Sequence, residues 1–336
     1  TRSLAGYAAT RETVIVNVLD KVASRLQEWR LAPAADGKTA AMLSLAMGLT
    51  LGAGALNAQE ITLRSADIHP DGYPTVDAVK YMGELVSQKT NGRIKIEVMN
   101  NAALGAEKDT IEQTRFGVIE MNRVNSAPFN NLVPETVVFG LPFLFRDTEH
   151  MHKVVDGPIG DEVLAAFEPH GLIGLAFYDS GARSFYSTKK PIEKLADLKG
   201  MKVRVQQSDL WIAMMEAFGA NPTPMPFGEV YSSLETGVVD AAENNWPSYE
   251  SSRHFEVAKN YTLTDHSLTP EILVISKITW DKLTPADQAL VKKLGREAQL
   301  EQRGLWDKSV AEYTTKLKAA GIEYINIDNK PFYDAT

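Results

Sequence analysis

Two periodicities alternate along the chain. Residues 60–70, EITLRSADIHP, alternate apolar with polar positions and predict a strand running into a His-Pro loop. In residues 74–92, PTVDAVKYMGELVSQKTNG, the spacing puts Val76, Val79, Met82 and Val86 on one face of a helix that Gly92 ends. RIKIEVM (93–99) reads as a second strand, EKDTIEQTRFG as a helix and VIEMNRVN as a third strand. This β-α-β-α-β order predicts an α/β unit with a largely parallel sheet.

A second unit of the same style follows. GLIGLAFYDSGARSFYS (171–187) carries a strand, a turn and another strand, and PIEKLADLKG a short helix or turn. In GMKVRVQQSD (200–209), Met201, Val203 and Val205 alternate with Lys202, Arg204 and Gln206, giving a strand with one apolar and one polar face. SDLWIAMMEAFG and FGEVYSSLETG read as helices, and VVDAAENNWPS as a strand leading into a loop. LTPEILVISKITW (268–280) reads as one long strand returning from the second unit to the first. The clearest helix begins at Pro285, with Thr284 as N-cap and Asp287 in its first turn, and stops at Gly321. At ~1.5 Å per residue it is roughly 54 Å long, so it is expected to bend or to lean across both units.

Composition narrows the class. The 336 residues exceed one typical domain, and 44% hydrophobic with 23% charged residues is the profile of a soluble globular protein. A net charge of −8 with scattered basic residues argues against a nucleic-acid partner, although local fields still permit an anionic ligand. The absence of cysteine removes disulfides, thiolate catalysis and Cys-ligated zinc. Residues 39–58, TAAMLSLAMGLTLGAGALNA, carry no charge, follow Lys38 and end in small residues. They read as a secretory signal peptide cleaved after Ala55 or Ala58, with a membrane anchor as the competing reading. Residues 1–38 form an extension of unassigned role, in which TVIVNVLDKVASRLQEWRL fits an amphipathic helix.

Catalytic signatures are missing: there is no G-x-S-x-G elbow, Walker A loop, G-x-G-x-x-G fingerprint or H-E-x-x-H pair. His150 and His152 do not share a helix face, so neither a metal nor a cofactor is expected. A lone arginine on an amphipathic strand is ordinarily solvated, and Arg204 must be weighed against that. Its strand runs into QQSD, where a helix begins, so it opens at the carboxyl edge of a parallel sheet, where ligands bind. Arg183 in DSGARSFY, and Asn244 and Asn245 after VVDAAE, sit at comparable junctions. Guanidinium forks and carboxamides suit a carboxylate, so these ends predict an anion site if they converge.

GMKVRVQQSD, GANPTPMPFGEVYSSLETGVVDAAENN and LPFLFRD resemble the solute-binding subunits of tripartite ATP-independent periplasmic (TRAP) transporters, the DctP-like family. The likeness runs from Glu60 to the end of the chain. It implies a periplasmic-binding-protein-like α/β fold, with two α/β domains around a ligand cleft, joined by crossing strands and a long helix spanning both. Domain I is expected to comprise 59–181 with 270–308, and domain II 182–269 with 309–336. The chain stops at PFYDAT, earlier than the family's usual C-terminal helix, so a truncated C-terminus and a monomer are expected. The implied role is not catalysis. It is periplasmic capture of an organic acid and its delivery to the small and large membrane subunits of a sodium-driven permease. Position by position, Arg204 matches the family's principal carboxylate-binding arginine. Arg183 matches its second ligand arginine, with one residue more between the two than in some members. Asn244 matches the ligand asparagine, and Phe227 a position that often packs on the ligand. His69, Glu107, Arg123 and Asn125 lie in first-domain loops that commonly reach the cleft.

YDSGARSFY, RVQQSDLW and ENNWPSYESSRHFE resemble members that bind hexuronates such as glucuronate and galacturonate. Such a ligand needs one carboxylate clamp and many hydrogen-bond partners, which His69, Glu107, Asn125, Gln206, Asn245 and Glu271 would supply. An acidic residue in the cleft argues against a dicarboxylate. Surface charge is the plain alternative for Glu107 and Glu271. Three rival readings stand beside this one: a family member for a C4-dicarboxylate or other carboxylate, a sugar-acid lyase with Glu107 and His69 as acid and base, and a sensory module of the same fold anchored by residues 39–58.

Overall fold

The computed structural model describes residues 60–336, together with the backbone of three strands nearer the N-terminus, β1 (Ser3–Ala9), β2 (Thr13–Asp20) and β3 (Ala23–Arg30). These three pair antiparallel in one sheet. The amphipathic helix expected within residues 13–31 is therefore corrected to a pair of strands. Thr13, Val14, Ile15, Val16 and Val18 are β-branched, and such side chains lose rotamer freedom in a helix but suit a pleated surface. Residues 39–58, read as a signal peptide, lie outside the described residues.

The remaining strands are β4 (Ile61–Ala66), β5 (Ile94–Met99), β6 (Met121–Asn125), β7 (Leu172–Tyr178), β8 (Ala182–Ser187), β9 (Lys202–Val205), β10 (Asn221–Pro224), β11 (Ala241–Asn244), β12 (Asn260–Leu268), β13 (Glu271–Ser276) and β14 (Tyr324–Asn326). They form two sheets, ordered β5-β4-β6-β13-β7 and β10-β9-β11-β8-β12-β14. The helix predicted after β4 spans Pro74–Lys89 and buries Val76, Val79, Met82 and Val86 completely. In the first sheet β4 runs parallel to β5 and β6, as the β-α-β order requires. β13 then enters antiparallel to both β6 and β7, so that end of the sheet is not parallel. In the second sheet β9 is parallel to β10 and β11, and β8 is antiparallel to β11 and β12. β10 lies at the edge: the Asn221 N–H turns inward to the Met201 carbonyl at 2.8 Å, while Pro222 and Pro224 carry no N–H.

Besides the long helix that leads from β13 to β14, two short connections carry the chain between the sheets. One crossing is Asp179, Ser180 and Gly181 between β7 and β8; the other is Thr269 and Pro270 between β12 and β13. The single long strand expected over 268–280 is accordingly corrected. Pro270, without an N–H, separates two strands, and β13 ends at Ser276, where the short helix Lys277–Trp280 begins. The long helix spans Pro285–Ala319, with the Thr284 side chain accepting from the Asp287 N–H. Its Val291, Leu294 and Ala298 pack with Met82 and Leu175 in the first-sheet core, and its Leu317 packs with Tyr186, Trp246 and Tyr261 in the second. From this helix Gln302 grips the first crossing, accepting from the Asp179 N–H (2.7 Å) and donating to the Asp179 carbonyl (2.9 Å). Gly181 has φ +61°, and a Cβ there would lie 2.9 Å from the Trp306 ring. The result is two α/β domains with a long helix contacting both.

Candidate functional site

The strand ends converge on one cavity. Ile68, His69, Glu107, Arg123, Asn125 and Glu271 line it from the first domain. Arg183, Arg204, Gln206, Phe227, Asn244, Asn245 and Ser248 line it from the second. All eleven candidate residues named from the sequence therefore face one space, but their side chains are not equally available.

Arg204 and Gln206 project from the same face of β9 and its carboxyl end, beside Asn244 at the end of β11. Arg204 is buried, and its Nε and Nη2 donate to the Met225 carbonyl at 3.2 and 2.9 Å. Among the described residues Nη1 makes no hydrogen bond and no carboxylate lies within ion-pair distance. The guanidinium sits over the Phe227 ring, 5.8 Å from its centroid. Burial lowers its pKa from the usual arginine value, with Glu243 acting against that. Arg204 is thus a desolvated cation whose charge no carboxylate contacts.

Arg183 is arranged differently. Its Nε and Nη2 bind the Glu243 carboxylate at 2.6 and 3.0 Å, and its Nη1 donates to Asn244 Oδ1 at 3.0 Å. Burial opposes the charge of Arg183, but Glu243 outweighs it and its pKa is raised. Asn244 Oδ1 also accepts from the Asn245 N–H at 2.8 Å, which leaves its Nδ2 as the group that can donate into the cavity. Asn245 and Asn125 are capping residues. Asn245 Oδ1 accepts from the Ser248 N–H (2.7 Å) and its Nδ2 donates to Ser180 Oγ (3.1 Å). Asn125 Oδ1 accepts from the Ala127 N–H (3.1 Å) and its Nδ2 donates to Glu271 (2.9 Å). Both shape the wall with amides already in use.

On the first-domain side, buried Arg123 holds Asp67 through Nε (2.7 Å) and Nη2, and Glu271 through Nη1 (2.6 Å). Among the described residues the Glu107 carboxyl has no such partner and accepts one hydrogen bond, from the Asn125 N–H at 3.4 Å. Burial, helped by Glu271 and opposed by Arg123 and Arg204, pushes its carboxyl up to about 7. His69 stacks on Tyr73 at 3.7 Å and meets Phe227 edge-on across the cleft at 5.5 Å. Burial and the charges of Arg123 and Arg183 hold its pKa well below the usual value, which favours the neutral ring, and among the described residues its Nδ1 has no partner. Gln206 Nε2 is likewise buried without a partner. Hydrogen bonds from Tyr73 Oη to Ser248 Oγ, at the cavity wall, and from Asn130 Nδ2 to Ser208 Oγ bridge the domains, each 2.8 Å.

The walls therefore differ in kind. The second domain offers donors, from Arg204, Asn244 and Gln206; the first offers carboxyl oxygens. Ile68 and Ser248 were not anticipated. Nothing local marks Ser248, whose partner Tyr73 is 175 positions away.

Comparison with known proteins agrees with this architecture. The profile of "Bacterial extracellular solute-binding protein, family 7" matches residues 65–335. A TRAP periplasmic solute-binding protein of a Bradyrhizobium species, solved with galacturonate, is 58% identical, covers 82% of this chain and 92% of its own, and superposes with a TM-score of 0.81. One from Pseudomonas putida F1, solved with D-glucuronate, is 49% identical over 82% and 90%, also at 0.81. A Citrobacter koseri homologue, 44% identical over 82% and 92%, superposes at 0.80 in its D-glucuronate complex but at 0.73 in its open apo form, so the arrangement described here is nearer the liganded one. The chain is a TRAP periplasmic solute-binding protein, a member of family 7 of the bacterial extracellular solute-binding proteins.

Proposed function

We propose that the protein captures a hexuronate of the glucuronate or galacturonate type and delivers it to the membrane subunits of a sodium-driven TRAP permease. The observation that carries this reading is Arg204, a buried guanidinium facing a cavity with no carboxylate in contact. A ligand carboxylate supplies what it lacks, on Nη1 and the adjacent Asn244 Nδ2, while Arg183, held by Glu243, adds its field. Ring hydroxyls then face Glu107, His69 and Gln206, and Phe227 covers the sugar. The ligands of the Bradyrhizobium, P. putida and C. koseri relatives support the class. A C4-dicarboxylate fits less well, because its second carboxylate meets Glu107 and Glu271. Residues 39–58 serve as the export signal in this reading. The domains, 59–181 with 270–308 and 182–269 with 309–336, close over the ligand about the two crossings, and the closed form is what the permease receives.

The test is calorimetric titration of wild type and Arg204→Ala with D-galacturonate, D-glucuronate and succinate. Both uronates should bind wild type, and the variant should lose roughly 2–5 kcal/mol, a ~30- to several-thousand-fold weakening. Near-wild-type affinity in the variant refutes the clamp; succinate binding as tightly as the uronates moves the reading to dicarboxylates.

A further inference from the structure

We infer that ligand capture draws a proton onto Glu107, and that this makes the cavity a site for acids bearing a single carboxylate. The inference rests on the uronate reading above and concerns the opposite end of the ligand. Arg123 is paired with Asp67 and Glu271, and Arg183 with Glu243. Among the charged groups of the cavity wall, that leaves one cation and one acid without an ionic partner, Arg204 and Glu107, on opposite walls.

The groups facing Glu107 are Arg123 from β6, Glu271 from β13, His69 from the loop after β4, and Arg204 and Arg183 across the cavity; Lys108 follows it on its own helix. Arg123 is committed to two carboxylates, so much of its field at Glu107 is cancelled. Arg204 is the uncancelled attraction that favours the charged form of Glu107. A ligand carboxylate docked on Arg204 cancels that attraction and brings a negative charge of its own. Both effects make Glu107 hold a proton more tightly. Burial has already brought its titration near neutrality, so the protonated form is within reach at ordinary pH. The sign follows from linkage: a proton held more tightly in the complex is taken up on binding, so affinity falls as pH rises, by at most about tenfold per pH unit. The neutral carboxyl donates its O–H to a ligand hydroxyl and accepts a second bond. A second ligand carboxylate at that wall would meet Glu271 as well as Glu107.

The experiment is calorimetry of the full-length protein from pH 6 to 8.5 in buffers of different ionisation enthalpy, with D-galacturonate and with the hexarate of the same carbon chain, on wild type and Glu107→Gln. Wild type should take up between zero and one proton per galacturonate and bind it about tenfold more weakly at pH 8 than at pH 6.5, within the one-proton limit. The hexarate should bind at least about tenfold more weakly than galacturonate. Glu107→Gln, an uncharged mimic of the protonated acid, should show neither proton uptake nor a pH slope. Absence of uptake in wild type, uptake that persists in Glu107→Gln, or a hexarate as tight as galacturonate overturns the inference while leaving the uronate reading in place. Failure of wild type to bind galacturonate at any pH overturns the uronate reading, and this inference with it.

Discussion

Replacing Arg123 by methionine tests whether the first-domain wall is an electrostatic unit. The side chains of Arg123 and Asp67 are each 1% exposed and that of Glu271 5%, so removing the guanidinium leaves two buried carboxylates without their cation. Breaking a buried ion pair from one side typically costs ~3–5 kcal/mol. Here the carboxylates keep some partners. Asp67 still accepts from the His69 N–H (2.8 Å) and from Thr75 Oγ1 (3.1 Å), and Glu271 from Asn125 Nδ2 (2.9 Å). The loss should therefore sit at the lower end, about 3 kcal/mol. For a chain of this size that is about 6 °C in Tm, at roughly 2 °C per kcal/mol. Circular-dichroism melts at pH 7 provide the assay. Arg123→Lys should fall between, keeping the charge without the fork. A variant melting within about 1 °C of wild type at pH 7 would refute the reasoning.

Tyr73→Phe removes one bond bridging the domains and strands Ser248 Oγ; a loss of about 1 kcal/mol should appear as roughly fivefold faster uronate release in stopped-flow, and an unchanged release rate would discard this latch. Gly181→Ala imposes a left-handed φ and a contact with Trp306, so it should lower Tm by about 2–5 °C. Gly228→Ala, where a Cβ meets nothing within 4 Å, should leave Tm unaltered, and equal melts for the two variants would contradict the packing described at the crossing.

Much of this was legible in the residue pattern, and what was not has identifiable causes. The helix Pro74–Lys89 could be read because its apolar spacing matches the face it buries. β12 escaped notice because Thr262, Thr264 and His266 are buried polar residues, Thr262 donating to the Ile192 carbonyl and Thr264 bonded to His266 Nδ1, and hydrophobic alternation does not register such a strand. The convergence of Arg204, Arg183 and Asn244 could be anticipated from their places at strand ends. Which of them is already engaged could not, because Arg183 finds Glu243 60 positions away and Arg123 finds Glu271 148 positions away. Those pairings separate a free cation from a spent one.

The prolines of β10 have a consequence beyond the cleft. With the Asn221 N–H turned inward, backbone alternation points the nitrogens of Pro222 and Pro224 outward, so that rim of the second sheet presents carbonyl oxygens and no donors. A foreign strand cannot zip onto such a rim, because half of every ladder rung is missing. Copies of the protein are thereby kept from pairing edge to edge at β10, beside the very strand that carries Arg204.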